Sequence, residues 1–148
     1  MKKRGAHIRH RAASVPGLIA QSLTAEYETR LRMAVEAFRG GWATSAHFND
    51  LADTLDLLQI GIAIYPAQRQ DNGAAAACQV ALVAMQNIRD RYQQRGRMGV
   101  SGEELKALDL LANTSLDYWN RRSGALFGEA YRQLMRIRKT QAENREAA

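Results

Sequence analysis

Few residues in the sequence could bind a metal ion. His47, Asp50 and Asp53 follow one another at intervals of three, inside a stretch whose apolar spacing predicts a helix. A metal site needs several His, Cys or carboxylate ligands that converge at one point, whereas positions i, i+3 and i+6 spread widely around a helix. The chain has three histidines, and two of them lie in its first ten residues. We therefore interpret this group as a solvated acidic face and expect neither a metal nor a cofactor.

Two other patterns could indicate catalysis or phosphate binding. Cys78 is the single cysteine and lies in an alanine-rich apolar run, which favours a small buried side chain over a reactive thiol. Gly96, Gly99 and Gly102 precede a helix start, but the loop lacks the Gly-Lys-Ser/Thr ending of a nucleotide-binding loop. A flexible connection followed by an ordinary helix cap explains these glycines. We therefore predict that the protein is not an enzyme.

Basic residues give the strongest indication of function. The chain has 21 Lys and Arg against 15 Asp and Glu, a formal net charge of +6. The first acidic residue is Glu26, and five basic residues precede it, so residues 26–148 carry a net charge of only +1. A short basic segment without acidic residues neutralises phosphates and binds nucleic acid with little sequence preference. The candidate residues of this arm are Lys2, Lys3, Arg4, Arg9 and Arg11.

A second basic cluster lies towards the C-terminus. Arg132, Arg136 and Lys139 occur at i, i+4 and i+7 on one face of a predicted helix, and Arg121 and Arg122 lie shortly before it. Such a stripe could follow a phosphate backbone. Alternatively, these cations stabilise the helix C-terminus and pair with aspartates of the second helix. The favoured hypothesis is an accessory or regulatory protein that contacts nucleic acid through the arm and this helix face.

The alternative hypothesis is a protein-interaction module, an adaptor or inhibitor that docks on a larger assembly or self-associates. Aromatic residues are enriched at protein interfaces, and the candidates are Trp42, Tyr118, Trp119 and Tyr131. The same side chains could instead fill the core of the monomer. The interaction hypothesis predicts that Trp42 or Trp119 is largely exposed in the free protein.

The elements that position these residues are predicted to be helices. Apolar residues recur at intervals of three and four, and no stretch alternates with the period of a strand. Five helices are indicated: about 24–39, 45–65, 74–95, a fourth beginning at the capping box of Ser101 and Glu104, and about 124–141. Ser123-Gly124 is either a turn between helices four and five or a kink, and we favour the turn. The fold class is therefore all-α, an antiparallel bundle of four or five helices with a basic, flexible N-terminal arm.

The same spacing predicts which side chains face the core. In the first helix we expect one apolar face; in the third, a face in its second half; and in the fifth, a face along its length. The predicted core residues of these helices are Tyr27, Leu31, Ala34 and Phe38; Val80, Val83 or Ala84, Ile88 and Tyr92; and Phe127, Ala130, Leu134 and Ile137.

The chain is predicted to form one domain. We expect an arm and linker over residues 1–22, the bundle over 23–141 and a frayed polar tail over 142–148. One cysteine precludes an intramolecular disulfide, no convincing signal peptide precedes the first helix, and no window approaches the ~18 apolar residues that span a membrane. These features favour a cytoplasmic protein without membrane association.

Overall fold

The computed structural model of the protein describes residues 24–65 and 73–148. Within these ranges the chain forms helices and no strands, which confirms the predicted all-α class. The five helices are α1 (24–40), α2 (Ser45–Ile64), α3 (Ala74–Arg95), α4 (Gly102–Asn120) and α5 (Gly124–Ala147). The predicted arm and linker, residues 1–22, lie outside the described ranges.

Glycines and capping residues lie at the helix ends that were predicted from the sequence. Gly41 has a φ of 76° just beyond α1, and the amide N–H of Trp42 donates to the carbonyl of Ala37 over 3.0 Å, so the chain reverses there as at many helix ends. The predicted capping box is present at α4, where Ser101 accepts a hydrogen bond from the amide of Glu104 and the Glu104 carboxylate accepts one from the amide of Ser101.

Helices α4 and α5 are separate, as predicted. The α4 helix ends at Asn120, and Ser123 is the N-cap of α5. The expectation of a frayed tail over 142–148 is wrong, because α5 continues to Ala147. This segment contains Ala, Glu and Arg, which have high helix propensity, and no Gly or Pro to end the helix.

Ion pairs between helices indicate that the helices of the bundle alternate in direction. Arg91 near the end of α3 contacts Glu104 near the start of α4, so these neighbours are antiparallel. Arg138 of α5 contacts Asp53 and Asp56 of α2. The α2 helix packs against α3, α4 and α5 and is therefore the central helix of the bundle.

The apolar face predicted for α1 lies largely in the core, and α2 and α4 contribute buried residues as well. Leu31, Ala34 and Phe38 of α1 are buried, and so are Leu51 and Leu58 of α2. An aromatic cluster joins α1, α4 and α5: the Phe127 ring lies 5.1 Å from the Tyr27 ring and 5.1 Å, edge-on, from the Trp119 indole. This cluster fixes the relative rotation of the three helices.

The predicted core faces of α3 and α5 need correction. Val80 and Tyr92 of α3 are exposed, and Ile137 of α5 is 45% exposed. Of the alternatives Val83 and Ala84, Ala84 is the buried one, and Ile88 is buried as expected. The first half of α3 is apolar around most of its circumference, so spacing alone did not define one face. The side chains of α3 that face the core are small, and they let α3 approach α2 and α4 closely. They are Ala74, Ala77, Cys78, Ala81 and Ala84.

Candidate nucleic-acid interface

Three of the predicted basic residues form a stripe on the outer face of α5. Arg132, Arg136 and Lys139 are exposed, and the described residues place no carboxylate in an ion pair with any of them. They lie opposite the buried face because i, i+4 and i+7 return to one side of a helix, while Phe127 and Leu134 return to the other. We call Arg132, Arg136 and Lys139 the basic stripe; its cations are available to an anionic ligand.

Arg138, which does not belong to the basic stripe, is the residue of α5 that pairs with aspartates of α2. One guanidinium nitrogen of Arg138, Nη2, donates to Asp53 Oδ1 over 2.8 Å and to Asp56 Oδ2 over 2.7 Å. Partial burial raises the pKa of Asp56, while Arg138 opposes that shift. The two interpretations of the C-terminal cations therefore apply to different residues: Arg138 neutralises the acidic face of α2, and the basic stripe does not.

Arg121 and Arg122 lie at the end of α4 and make contacts within that helix. Arg121 forms an ion pair with Asp117 over 2.9 Å. Arg122 donates to the Tyr118 carbonyl over 2.7 Å, and its guanidinium carbon lies 3.4 Å from the centre of the Tyr118 ring. Both stabilise the end of the helix, so they are weaker candidates for phosphate contact than the basic stripe.

The remaining predicted basic residues belong to the N-terminal arm. They are Lys2, Lys3, Arg4, Arg9 and Arg11, and they lie outside the described residues.

The predicted aromatic interaction residues divide between core and surface. Tyr118 is 1% exposed and Trp119 3%, so the expectation that they form an interaction surface is wrong. They fill the space between α2 and α4: the Tyr118 hydroxyl donates to the Tyr65 carbonyl over 3.2 Å, and the Trp119 ring lies against Gly61. Tyr131 is half-buried and stacks on Phe127.

Trp42 is the predicted interaction residue that does reach the surface. Its side chain is 54% exposed, and its indole lies edge-on to the His47 ring, with 5.2 Å between ring centres. His47 itself caps α2, since its Nδ1 accepts a hydrogen bond from the Thr44 amide over 3.0 Å. His47, which we predicted to lie on a solvated face, therefore stabilises the start of α2.

The spacing of the residues gave no indication of a buried polar cluster between α1, α2 and α4. The Tyr27 hydroxyl and the Ser115 hydroxyl are 2.8 Å apart, and Tyr27 also contacts Thr54. Burial raises the pKa of Tyr27 to about 12, so this phenol stays protonated at neutral pH and does not act as a base there. Beside it is a cavity of about 100 Å³, lined in part by Asp50 and Asp53.

A larger open groove of about 640 Å³ separates the turn after α1 from the loop before α4. Its lining includes Arg39 and Arg97 but no acidic side chain. Arg39 is bound through both terminal nitrogens, to Glu36 and to Asp109. Most of its charge is therefore compensated within the fold.

Two observations concern the thiol and the metal-ligating side chains of the described ranges. Cys78 is buried, as predicted, and burial raises the pKa of its thiol to about 11, so the reactive thiolate is scarce at neutral pH. Among residues 24–65 and 73–148, no three His, Cys, Asp or Glu side chains are placed to hold a metal ion.

The described helices and the comparisons add two further findings. None of the helices in the described part of the chain is long and apolar enough to cross a membrane. Comparison of the chain with known protein families, with curated proteins and with solved structures gave no match.

Proposed function

We propose that the protein is a small accessory protein that contacts the phosphate backbone of nucleic acid through α5 and its N-terminal arm. The observation that carries this proposal is the basic stripe, whose three cations are exposed and unneutralised in a chain whose residues 26–148 have a net charge of only +1. Elsewhere in the bundle, arginines such as Arg39, Arg91 and Arg138 are paired with carboxylates.

The dimensions of the basic stripe suit a phosphate backbone. Seven residues separate Arg132 from Lys139, which is about 10 Å along a helix. Measured along the duplex axis, that length corresponds to about three base steps at 3.4 Å per step. The long Arg and Lys side chains could then spread to separate phosphates of the backbone. Contacts of this kind position a protein on nucleic acid but do not specify its sequence.

Salt dependence measures these contacts directly. Each phosphate contact contributes about −0.9 to the slope of log K against log salt concentration on duplex DNA. We expect R132Q/R136Q/K139Q to bind a fluorescent 20-base-pair duplex more weakly and to have a slope shallower by about 2.7, which fluorescence anisotropy over a range of salt concentrations would measure. A slope equal to that of the wild-type protein would refute the role of α5.

Two neighbouring arginines provide a matched control. R136Q removes an unpaired cation, whereas R138Q removes one already neutralised by Asp53 and Asp56. We expect R136Q to reduce the slope by about 0.9 and R138Q to leave it unchanged. Equal effects of the two variants would show that overall charge, rather than the basic stripe, governs binding. Circular dichroism would verify that both variants are folded.

The arm needs its own variant, because it lies outside the described residues. A chain that begins at Val15 lacks Lys2, Lys3, Arg4, Arg9 and Arg11, and we expect its slope to be shallower by up to about 4.5. Binding unchanged by this truncation would exclude the arm from the interface and leave the basic stripe as the sole candidate.

A second candidate function, docking on another protein, is supported by the exposure of Trp42. Tryptophan is among the residue types enriched at the positions that dominate the energetics of protein interfaces. We expect Trp42→Ala to abolish specific crosslinking to a partner in cells while R136Q leaves it intact. Crosslinked species that are the same for both variants and the wild type would exclude this surface.

A further inference from the structure

The His47 side chain links the turn after α1 to the start of α2. Its Nδ1 accepts a hydrogen bond from the Thr44 amide over 3.0 Å and lies 3.2 Å from the Thr44 hydroxyl. The same ring lies edge-on to the Trp42 indole, with 5.2 Å between ring centres. One imidazole therefore caps α2 and also contacts the exposed tryptophan.

The hydrogen bond from Thr44 requires an unprotonated nitrogen on His47. A backbone N–H can only donate, so Nδ1 presents its lone pair and the proton of the neutral ring is on Nε2. A capping box usually has Glu or Gln at this position, and their side-chain oxygens remain acceptors at neutral pH. Histidine side chains in general change charge between roughly pH 5 and 8. An imidazolium has N–H groups on both nitrogens and cannot accept this bond.

Asp50 offers protonated His47 a second partner one turn along α2. Residues three apart are neighbours on a helix surface, and the charges of His47 and Asp50 interact. Asp50 is half-buried, and none of the ion pairs within residues 24–65 and 73–148 uses its carboxylate. The helix dipole also disfavours a cation at the first turn of α2. A charged ring is therefore favoured beside Asp50 and disfavoured at the cap.

The other charged side chains near this end of α2 are occupied or exposed to solvent. Two arginines of α1 form ion pairs: Arg30 with Glu26, and Arg39 with Glu36 and Asp109. The last turns of α5, which run towards the start of α2, have three charged residues, all exposed: Glu143, Arg145 and Glu146. Among the described residues, Asp50 is therefore the carboxylate placed to bind protonated His47.

We propose that protonation moves the His47 side chain from Thr44 to Asp50 and thereby releases the Trp42 indole. At neutral pH the ring caps α2 and holds the tryptophan beside the turn. In mild acid the imidazolium pairs with Asp50, the Thr44 amide donates to water, and the indole loses its edge-on contact. This switch controls how Trp42 is presented at the surface, and it depends on neither nucleic-acid binding nor a protein partner.

NMR spectroscopy of the isotope-labelled full chain between about pH 8 and pH 5.5 tests the proposal. Burial raises the pKa of Asp50, so the range stops there to keep this carboxylate ionised. NOEs between the rings of Trp42 and His47 should be present at the upper limit and lost at the lower one. NOEs between Trp119 and Phe127, whose rings are 5.1 Å apart in the core, should persist throughout. If the NOEs of Trp42 also persist, the charged ring stays on the indole as a cation–π contact, and the proposal is overturned.

His47→Gln tests the cap separately from the indole. Glutamine keeps a side-chain acceptor at this position of the capping box but does not titrate. The Thr44 amide resonance should therefore shift with pH in the wild-type protein and remain constant over the same range in the variant. A shift of the wild-type size in His47→Gln would assign the pH dependence to another group and would overturn the proposal.

Asp50→Asn tests the second position of the ring. Without this carboxylate, the NOEs between Trp42 and His47 should be lost at a pH lower by about 0.1 to 0.4 units than in the wild type. Asp56→Asn is the matched control, because it removes the same charge about 13 Å further along α2 and should leave this pH unchanged. Equal shifts in the two variants would show that net charge, rather than a contact with Asp50, governs the transition, and would refute the switch.

Discussion

The contact between Gly61 and Trp119 predicts that replacing Gly61 by alanine stabilises the protein less than replacing a glycine with free space around it. A Cβ added at Gly61 would lie 2.7 Å from Trp119 Cη2 and 3.0 Å from Tyr118 Cε1. The indole cannot move away easily, because it is 3% exposed and fixed edge-on against Tyr118 and Phe127 at 4.9 and 5.1 Å between ring centres. Gly61→Ala therefore overpacks the contact between α2 and α4.

Two opposing terms set the magnitude. Overpacking a core costs typically about 1–3 kcal/mol of unfolding free energy, whereas replacing a helical glycine by alanine stabilises by up to about 1 kcal/mol. We therefore expect Gly61→Ala to be neutral to destabilising, by about 0–2 kcal/mol. Gly128→Ala is the matched control: an added Cβ there meets only Arg132 Nη1 at 3.9 Å, so the propensity term alone acts and the variant is stabilised.

Urea denaturation followed by circular dichroism at 222 nm measures both variants. The expected difference of about 1–3 kcal/mol between them corresponds to roughly 3–9 °C in Tm for a chain of this size. In a Trp119→Phe background, which removes the atoms nearest Gly61, the cost of Gly61→Ala should largely disappear, as a double-mutant cycle would reveal. If Gly61→Ala stabilised the protein as much as Gly128→Ala, Trp119 would not be packed against α2.

Two further predictions concern titratable groups in the bundle. Burial alone would raise the pKa of Glu104, but hydrogen bonds from Arg91 and Ser101 outweigh it and hold that pKa below its usual value. Ionised Glu104 therefore stabilises the fold above its unfolded pKa, and this contribution is lost as pH falls through its folded pKa. Glu104→Gln should lower the free energy of unfolding by about 1–2 kcal/mol at pH 7 and by progressively less below pH ~4. The same difference between wild type and variant in urea titrations at pH 3 and pH 7 would contradict this. Burial raises the pKa of the Cys78 thiol to about 11. At pH 8 this thiol should therefore react with a thiolate-specific reagent about 100-fold more slowly in the folded than in the urea-unfolded protein. Equal rates in the two states would place Cys78 at the surface.

The sequence determined the fold class well because helix periodicity and caps are local signals. The capping box at Ser101 and Glu104 and the glycines after α1 needed only neighbouring residues to be recognised. Errors arose where the core choice depends on packing. The apolar character of α3 on most sides allowed either its valines or its alanines to face inward, and close approach of the helices selected the alanines. The tail beyond residue 141 lacks core residues but retains helix propensity, which extended α5.

Functional residues were harder to predict than helices because charge and aromatic character do not reveal pairing. Arg136 and Arg138 are two residues apart and look equivalent in the sequence, yet Arg138 is bound by two aspartates of α2 and Arg136 is not. Trp42 and Trp119 are likewise indistinguishable by type, but one follows a turn and the other lies against a glycine of the central helix. In both pairs a residue far away in sequence decides the outcome, so the three-dimensional arrangement must be known before a cation or an indole can be assigned to binding.

The acidic face of α2 accounts for the location of the basic stripe. Asp53 and Asp56 lie where α5 crosses α2, and they neutralise the one arginine that points towards them. Cations on the far side of α5 lie beyond the reach of these carboxylates. A nearly neutral bundle can thus present an unneutralised positive face, because its negative charge is used inside the contact between α2 and α5. Replacing Asp53 and Asp56 by asparagine would release Arg138 and remove two negative charges, but it would leave the basic stripe as it is. Stronger nucleic-acid binding by that variant would therefore come from Arg138 and from weaker repulsion of phosphate, not from the basic stripe.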